Sequence, residues 1–172
     1  MGAPIIVESY RLHRTYLPAL HRTEQIADQA ARLVTRRMRE RLPHVTIRIS
    51  GERLLGQAVT EVEQQLLGTD RLPSSGSQGR HVYGVTTLGP AGAVVVINGK
   101  AVIEDRCLAT TLVHELVHAV QGNRPGGQQR LMTGIRGAFG FIKGGPSRQF
   151  IRRHDRDERE AQSLEHLASE LR

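Results

Sequence analysis

Apolar residues recur at helical spacing in four stretches of the chain and at strand spacing in shorter runs between them. From Thr23 onward, Ile26, Ala30, Val34 and Met38 return every fourth residue, and Ala27, Ala31 and Leu42 widen the stripe. This predicts a helix capped by Thr23 and closed by Pro43. Leu55, Ala58, Val59, Val62 and Leu66 mark a second helix, entered at Ser50 or Gly51 and stopped at Gly68, with Glu52, Glu61 and Glu63 on its outer, solvated face. Leu112, Val113, Leu116, Val117 and Val120 form the broad apolar face of a third, which starts between Ile103 and Asp105, runs to Gln121 and stops at Gly122. Ala161, Leu164, Leu167, Ala168 and Leu171 line the last, from Asp155 to Leu171.

Between them lie the strand candidates. Val45-Thr-Ile-Arg-Ile49 alternates apolar and polar side chains, as in a strand with one buried face, and Pro4 to Val7 is a shorter candidate. His81 to Thr87 and the almost wholly apolar Ala93 to Ile97 are joined by turn residues and read as a hairpin, with Asn98-Gly99 as a tight turn beyond it. Two stretches lack periodicity: a polar loop over 69–80 and a Gly-rich, basic segment over 122–150 that holds Phe139, Phe141 and Phe150. Within the latter, 131–141 fits either a short helix or a hairpin.

A chain of 172 residues is of single-domain length, so 1–172 is read as one unit. Aromatics make up only 3% and Trp is absent, which leaves an aliphatic core. The net charge of +7 suits an anionic partner, but 22 of the 24 basic residues are Arg, as GC-rich coding alone produces. Nucleic acid is therefore a disfavoured partner, with the basic Gly/Phe segment as its contact surface. Cys107 is the only cysteine, so no internal disulfide forms. Neither a signal-peptide core nor a membrane-length apolar run is present, and a cytoplasmic location without membrane contact is expected. Oligomeric state is not legible.

The chemistry concentrates in Thr111-Leu-Val-His114-Glu115-Leu-Val-His118-Ala119. On a helix, positions i and i+4 stand one above the other, so His114 and His118 can present two imidazoles to one metal ion with Glu115 beside them. A His-Glu-x-x-His pattern arises by chance about 0.03 times in a chain of this composition, so its context decides. Zinc hydrolysis needs a third ligand and an open position for water. Positions 121 and 124 are Gln and Arg, which rules out a third histidine following closely. The C-terminal helix offers Asp157-Glu158-Arg159-Glu160-Ala161-Gln162 instead. Cys107, about 10 Å along the helix from His114, is too far to ligate and reads as a buried structural thiol.

These residues resemble the gluzincin metallopeptidases, and more narrowly the small single-domain and ImmA/IrrE-type members. The resemblance rests on Val95-Val96-Ile97-Asn98, then His114-Glu115-Leu-Val-His118, then Glu158-x-Glu160-Ala161-Gln162, and covers roughly residues 85–170. It implies an α+β, zincin-like fold: a small mixed sheet with helices on one face, the motif helix and the C-terminal glutamate helix clasping the metal. It further implies Zn2+ held by His114, His118 and Glu158, with Glu160 and then His154 as alternative third ligands. Glu115 would be general base in a metalloendopeptidase acting on a protein or peptide substrate, and Val94 to Ile97 the edge strand along which that substrate lies. The family's Asn or Asp, four residues after the ligand Glu, is Gln162 here. Tyr83, His81 and His154 are candidate donors to the transition-state oxyanion. The other class of function is a regulatory or nucleic-acid-binding protein on the same scaffold.

Overall fold

The computed structural model describes residues 5–74, 82–104, 106–143 and 148–172. Four strands form one sheet: β1 (Ile5–Tyr10), β2 (Val45–Ser50), β3 (Gly84–Gly89) and β4 (Gly92–Asn98), in the order β1-β2-β4-β3. β1, β2 and β4 run parallel, and β3 pairs antiparallel with β4, so the sheet is mixed as expected. The helices are α1 (Leu17–Met38), α2 (Leu55–Leu67), α3 (Gly99–Glu104), α4 (Leu108–Asn123), α5 (Gly127–Ala138) and α6 (Arg148–Leu164), followed by a 3-10 segment, Glu165–Glu170.

The period-2 alternation along β2 is realised: Val45, Ile47 and Ile49 are fully buried. Side chains of β4 divide between two layers. Ala93, Val95 and Ile97 join Val45, Ile47 and Ile49 under α1 and α4, whereas Val94 and Val96 pack with Leu55, Ala58, Val59 and Val62 of α2. Helices therefore cover both faces of the sheet, which corrects the expectation of helices on one face. The wholly apolar run of β4 has its cause here, since both of its faces are buried. A second correction concerns the sheet's edge. β4 lies between β2 and β3, so the exposed edge nearest α4 belongs to β3, not to Val94–Ile97.

Helix boundaries shift for local reasons. α1 begins six residues before Thr23, with Pro18 in its first turn, and Thr23 is an interior residue whose hydroxyl donates to the Ala19 carbonyl at 2.7 Å. α2 stops at Gly68, whose left-handed φ of 63° suits a residue without Cβ. Asn98 does not make a tight turn with Gly99. Its side chain accepts the amide of Ala101 at 3.1 Å and starts α3, a short helix mostly ahead of the expected third one, which begins later than expected, at Leu108, as α4. Gly122 lies inside the last turn of α4, and the 131–141 stretch is mostly helical as part of α5. Pro4, residues 75–80 of the polar loop, His81, Asp105 and residues 144–146 lie outside those described. Among the described residues no helix is long and apolar enough to cross a membrane.

α4 is the centre of the packing. Leu112, Val113, Leu116, Val117 and Val120 have no exposed surface and face α1, the sheet and the C-terminal segment. Leu116→Ala is expected to destabilise the fold by about 2–5 kcal/mol, read as a lower urea midpoint with unchanged slope. A cost below about 0.5 kcal/mol, as for a surface position, contradicts this packing.

Candidate metal centre

His114 and His118 rise from the polar edge of α4, each partly exposed, one turn apart. Their Nε2 atoms stand 3.0 Å from each other. Glu158, on α6, completes a triangle, with Oε1 3.0 Å from His118 Nε2 and Oε2 3.6 Å from His114 Nε2. These three residues form a group able to hold a metal ion. Two donors bound tetrahedrally to zinc at ~2.0–2.1 Å lie about 3.3 Å apart, the mean scale of this triangle.

The other face of each imidazole is fixed. His114 Nδ1 is 2.9 Å from Glu165 Oε1, and a carboxylate there accepts the ring proton. His118 Nδ1 is 2.7 Å from Gln121 Oε1. The amide's orientation is set by its nitrogen, which donates to the Asp157 carbonyl at 2.8 Å and to Glu160 Oε2 at 2.9 Å. Both of those partners are acceptors, so the Gln121 oxygen must face His118, and His118 Nδ1 must carry the proton. In the neutral rings both Nε2 atoms therefore present lone pairs, into the same small volume as the Glu158 carboxylate. Three electron-rich donors at 3.0–3.6 Å repel one another unless a cation or a proton lies among them. The donor set of two nitrogens and a carboxylate oxygen fits zinc.

Glu160 is not in this group. Arg124 grips its carboxylate bidentately, Nη1 to Oε2 at 2.9 Å and Nη2 to Oε1 at 2.8 Å, while also donating to Glu40 from Nε and Nη2. The hydrogen bond from Arg124, helped by that from Gln121, holds the Glu160 carboxyl below its ordinary range. Glu160 is thus two bonds removed from the metal position, an anchor for Gln121. His154 is exposed and one turn before Glu158; it lines the cavity but does not converge with the other donors. Gln162 is exposed, and the outer partner of His114 is supplied by Glu165, seven residues beyond Glu158.

Glu115 is 5% exposed and lies against β3. The Thr86 hydroxyl is 2.7 Å from its Oε2 and 3.0 Å from its main-chain carbonyl. Burial pushes the Glu115 carboxyl up, opposed by the Thr86 hydrogen bond and by His118, and reinforced by the charge of Glu158. Gly84 makes this position possible. A Cβ there would stand 2.8 Å from Glu115 Cγ, 2.9 Å from its Oε1 and 3.0 Å from Thr111 Cγ2. Neither Gly84 nor Thr86 was marked by the sequence pattern, because their role arises from the approach of β3 to α4.

The three donors and Glu115 open into a cavity of about 550 Å³ walled by β3, α5 and α6. Glu63 also lines it: the expected outer-face position is instead half-buried, with its carboxylate accepting the Thr87 hydroxyl at 2.7 Å. Burial raises the Glu63 carboxyl above its ordinary range, against the opposing hydrogen bond from Thr87. Among the candidate oxyanion donors, His154 lines the cavity, Tyr83 does not, and His81 lies outside the described residues. Cys107 is partly rather than fully buried at the start of α4, with the Thr111 hydroxyl 3.7 Å from its sulfur. Of the aromatics in the Gly-rich segment, Phe139 is buried and Phe141 carries the Arg71 guanidinium 4.8 Å over its ring.

The Glu160–Arg124 anchor predicts a pH effect. A carboxyl whose folded value lies below its unfolded one contributes stability that is complete above the unfolded value, about 4.3, and is lost as pH falls through the folded value. Urea-unfolding stability of Glu160→Gln should therefore fall less steeply than that of wild type below about pH 4.3. Parallel curves for the two proteins contradict the anchor.

Comparison of the chain with protein-family models, with curated proteins and with solved structures yields no match, so the reading of the site rests on its own geometry.

Proposed function

We propose that this protein is a zinc-dependent metalloendopeptidase of gluzincin type. The observation that carries the reading is the convergence of His114 Nε2, His118 Nε2 and Glu158, with both Nδ1 protons committed to Glu165 and Gln121. A zinc ion held by His114, His118 and Glu158 would supply Lewis acidity for activating a water and polarising a carbonyl. Glu115 opens into the same cavity and takes the proton as the water oxygen attacks the carbonyl carbon. The same carboxyl then gives that proton to the amine as the C–N bond breaks. Its raised pKa favours this double duty, because a group that both accepts and donates works best near the operating pH. Thr86 holds one carboxylate oxygen and leaves the other for the water.

β3 offers the substrate a place to bind. Its outer edge has no strand partner among the described residues, and Gly84 to Thr87 line the cavity. An extended peptide added antiparallel or parallel to that edge would pass its main chain beside Glu115. The resemblance of the sequence to gluzincins supports the same assignment.

Glu115→Gln is expected to retain zinc and to lose peptide hydrolysis by about 10²–10⁴-fold, measured on a casein or peptide-library digest. Gly84→Ala, which crowds the same carboxylate, should act in the same direction while keeping the metal. Undiminished proteolysis by Glu115→Gln would sink the mechanism.

A further inference from the structure

The cavity beside the three donors carries an unusual pair of charges. Arg130, in the first turn of α5, and Arg153, on α6 five residues before Glu158, both line it and are both partly buried. Among the described residues neither side chain makes a hydrogen bond or ion pair. Two other partly buried arginines of this chain are neutralised: Arg48 bonds to Glu8, and Arg124 bonds to Glu40 and Glu160. Asp157, on α6, also lines the cavity, but its carboxylate lies within ion-pair distance of Arg124, at 4.0 Å.

Burial and the neighbouring charge of Arg153 both push the Arg130 guanidinium below its ordinary value, with Arg124 and Arg156 adding to the repulsion and Asp157 opposing it. Two like charges beside one cavity, partly desolvated and only partly offset by Asp157, cost stability. That cost is relieved by a ligand bearing a negative charge. His154, next to Arg153 in the chain, also lines the cavity and can add a donor.

We propose that Arg130 and Arg153 form an anion-binding subsite that takes a carboxylate of the peptide substrate. The proposal rests on the peptidase reading and names the substrate class it lacks. Arg153 precedes Glu158 by about 7 Å of helix rise, which is the length of about two residues of extended chain. The carboxylate therefore sits within about two residues of the scissile bond. It comes either from an acidic side chain, as in endoproteolysis, or from the peptide's own C-terminus, which would narrow the activity to trimming of C-terminal fragments; guanidinium groups recognise both alike. Glu63 also lines the cavity and disfavours an acidic group beside it.

Three peptides separate these sources: acetyl-pentaalanine as the free acid, the same peptide as its C-terminal amide, and an amide carrying one glutamate. Binding is titrated calorimetrically to the zinc-loaded Glu115→Gln protein, which does not turn the peptides over, and hydrolysis is followed separately with wild type. One or both anionic peptides should bind at least about tenfold tighter than the neutral amide. That preference should vanish in Arg130→Ala/Arg153→Ala and persist in part in Arg130→Lys/Arg153→Lys, which keeps the charge if the alanine pair fails to fold. Preference for the free acid assigns the C-terminal carboxylate, and preference for the glutamate peptide assigns a side chain. Equal binding of all three, no binding of any, or a preference untouched by the double substitution overturns the subsite. If the preference holds and depends on the arginines while wild type cleaves nothing, the subsite stands and the peptidase reading falls.

Discussion

The convergence of three donor groups on one small volume is the constraint on which this site depends. His114 Nε2, His118 Nε2 and the Glu158 carboxylate point into one small volume, and none of them brings a proton of its own when the rings are neutral. Such an arrangement persists in a folded chain only where other interactions hold each group in place. α4 provides the base for two of them, because its opposite face is buried among α1, the sheet and the C-terminal segment. Glu165 and Gln121 then fix the ring orientations, and Gln121 is itself held by Asp157 and by the Glu160–Arg124–Glu40 network. Through Arg124 that network reaches Glu40, at the end of α1, and so ties the site to the far end of the core.

The cavity follows from the same packing. β3 is antiparallel on the sheet's edge, close enough to α4 that Gly84 leaves room for Glu115 and Thr86 can bond to it. α5 and α6 form the opposite wall and bring in Arg130, Arg153 and His154. Arginine, carboxylate and imidazole groups thus share one cavity whose remaining lining is largely apolar. Any occupant must match charge as well as shape.

Much of this was legible along the chain, for reasons that differ by residue. His114 and His118 could be read because the i,i+4 relation is a property of any helix, and the apolar stripe on α4 certified the helix. Glu158 was reached through resemblance, since nothing in local spacing separates it from Glu160; the geometry places it with the histidines and turns Glu160 toward Arg124. Glu165 and Gln121 were readable in principle, as positions two turns from Glu158 and one turn from His118, but a polar residue on a charged helix normally faces solvent. Gly84, Thr86 and Glu63 could not be read, because their roles depend on how β3 approaches α4 and α2. The wholly apolar β4 run already required cover on both faces, and α2 supplies the second layer.

The central claim is that the convergent triad, and not the neighbouring acids, holds a metal ion. Elemental analysis of the purified protein by mass spectrometry tests it most directly. The account predicts one zinc per chain in wild type and in Glu160→Ala, with zinc lost in His118→Ala and in Glu158→Ala while each variant remains folded by circular dichroism. A wild type that takes up no stoichiometric metal when supplied with zinc, or a Glu158→Ala protein that retains it undiminished, would contradict the account.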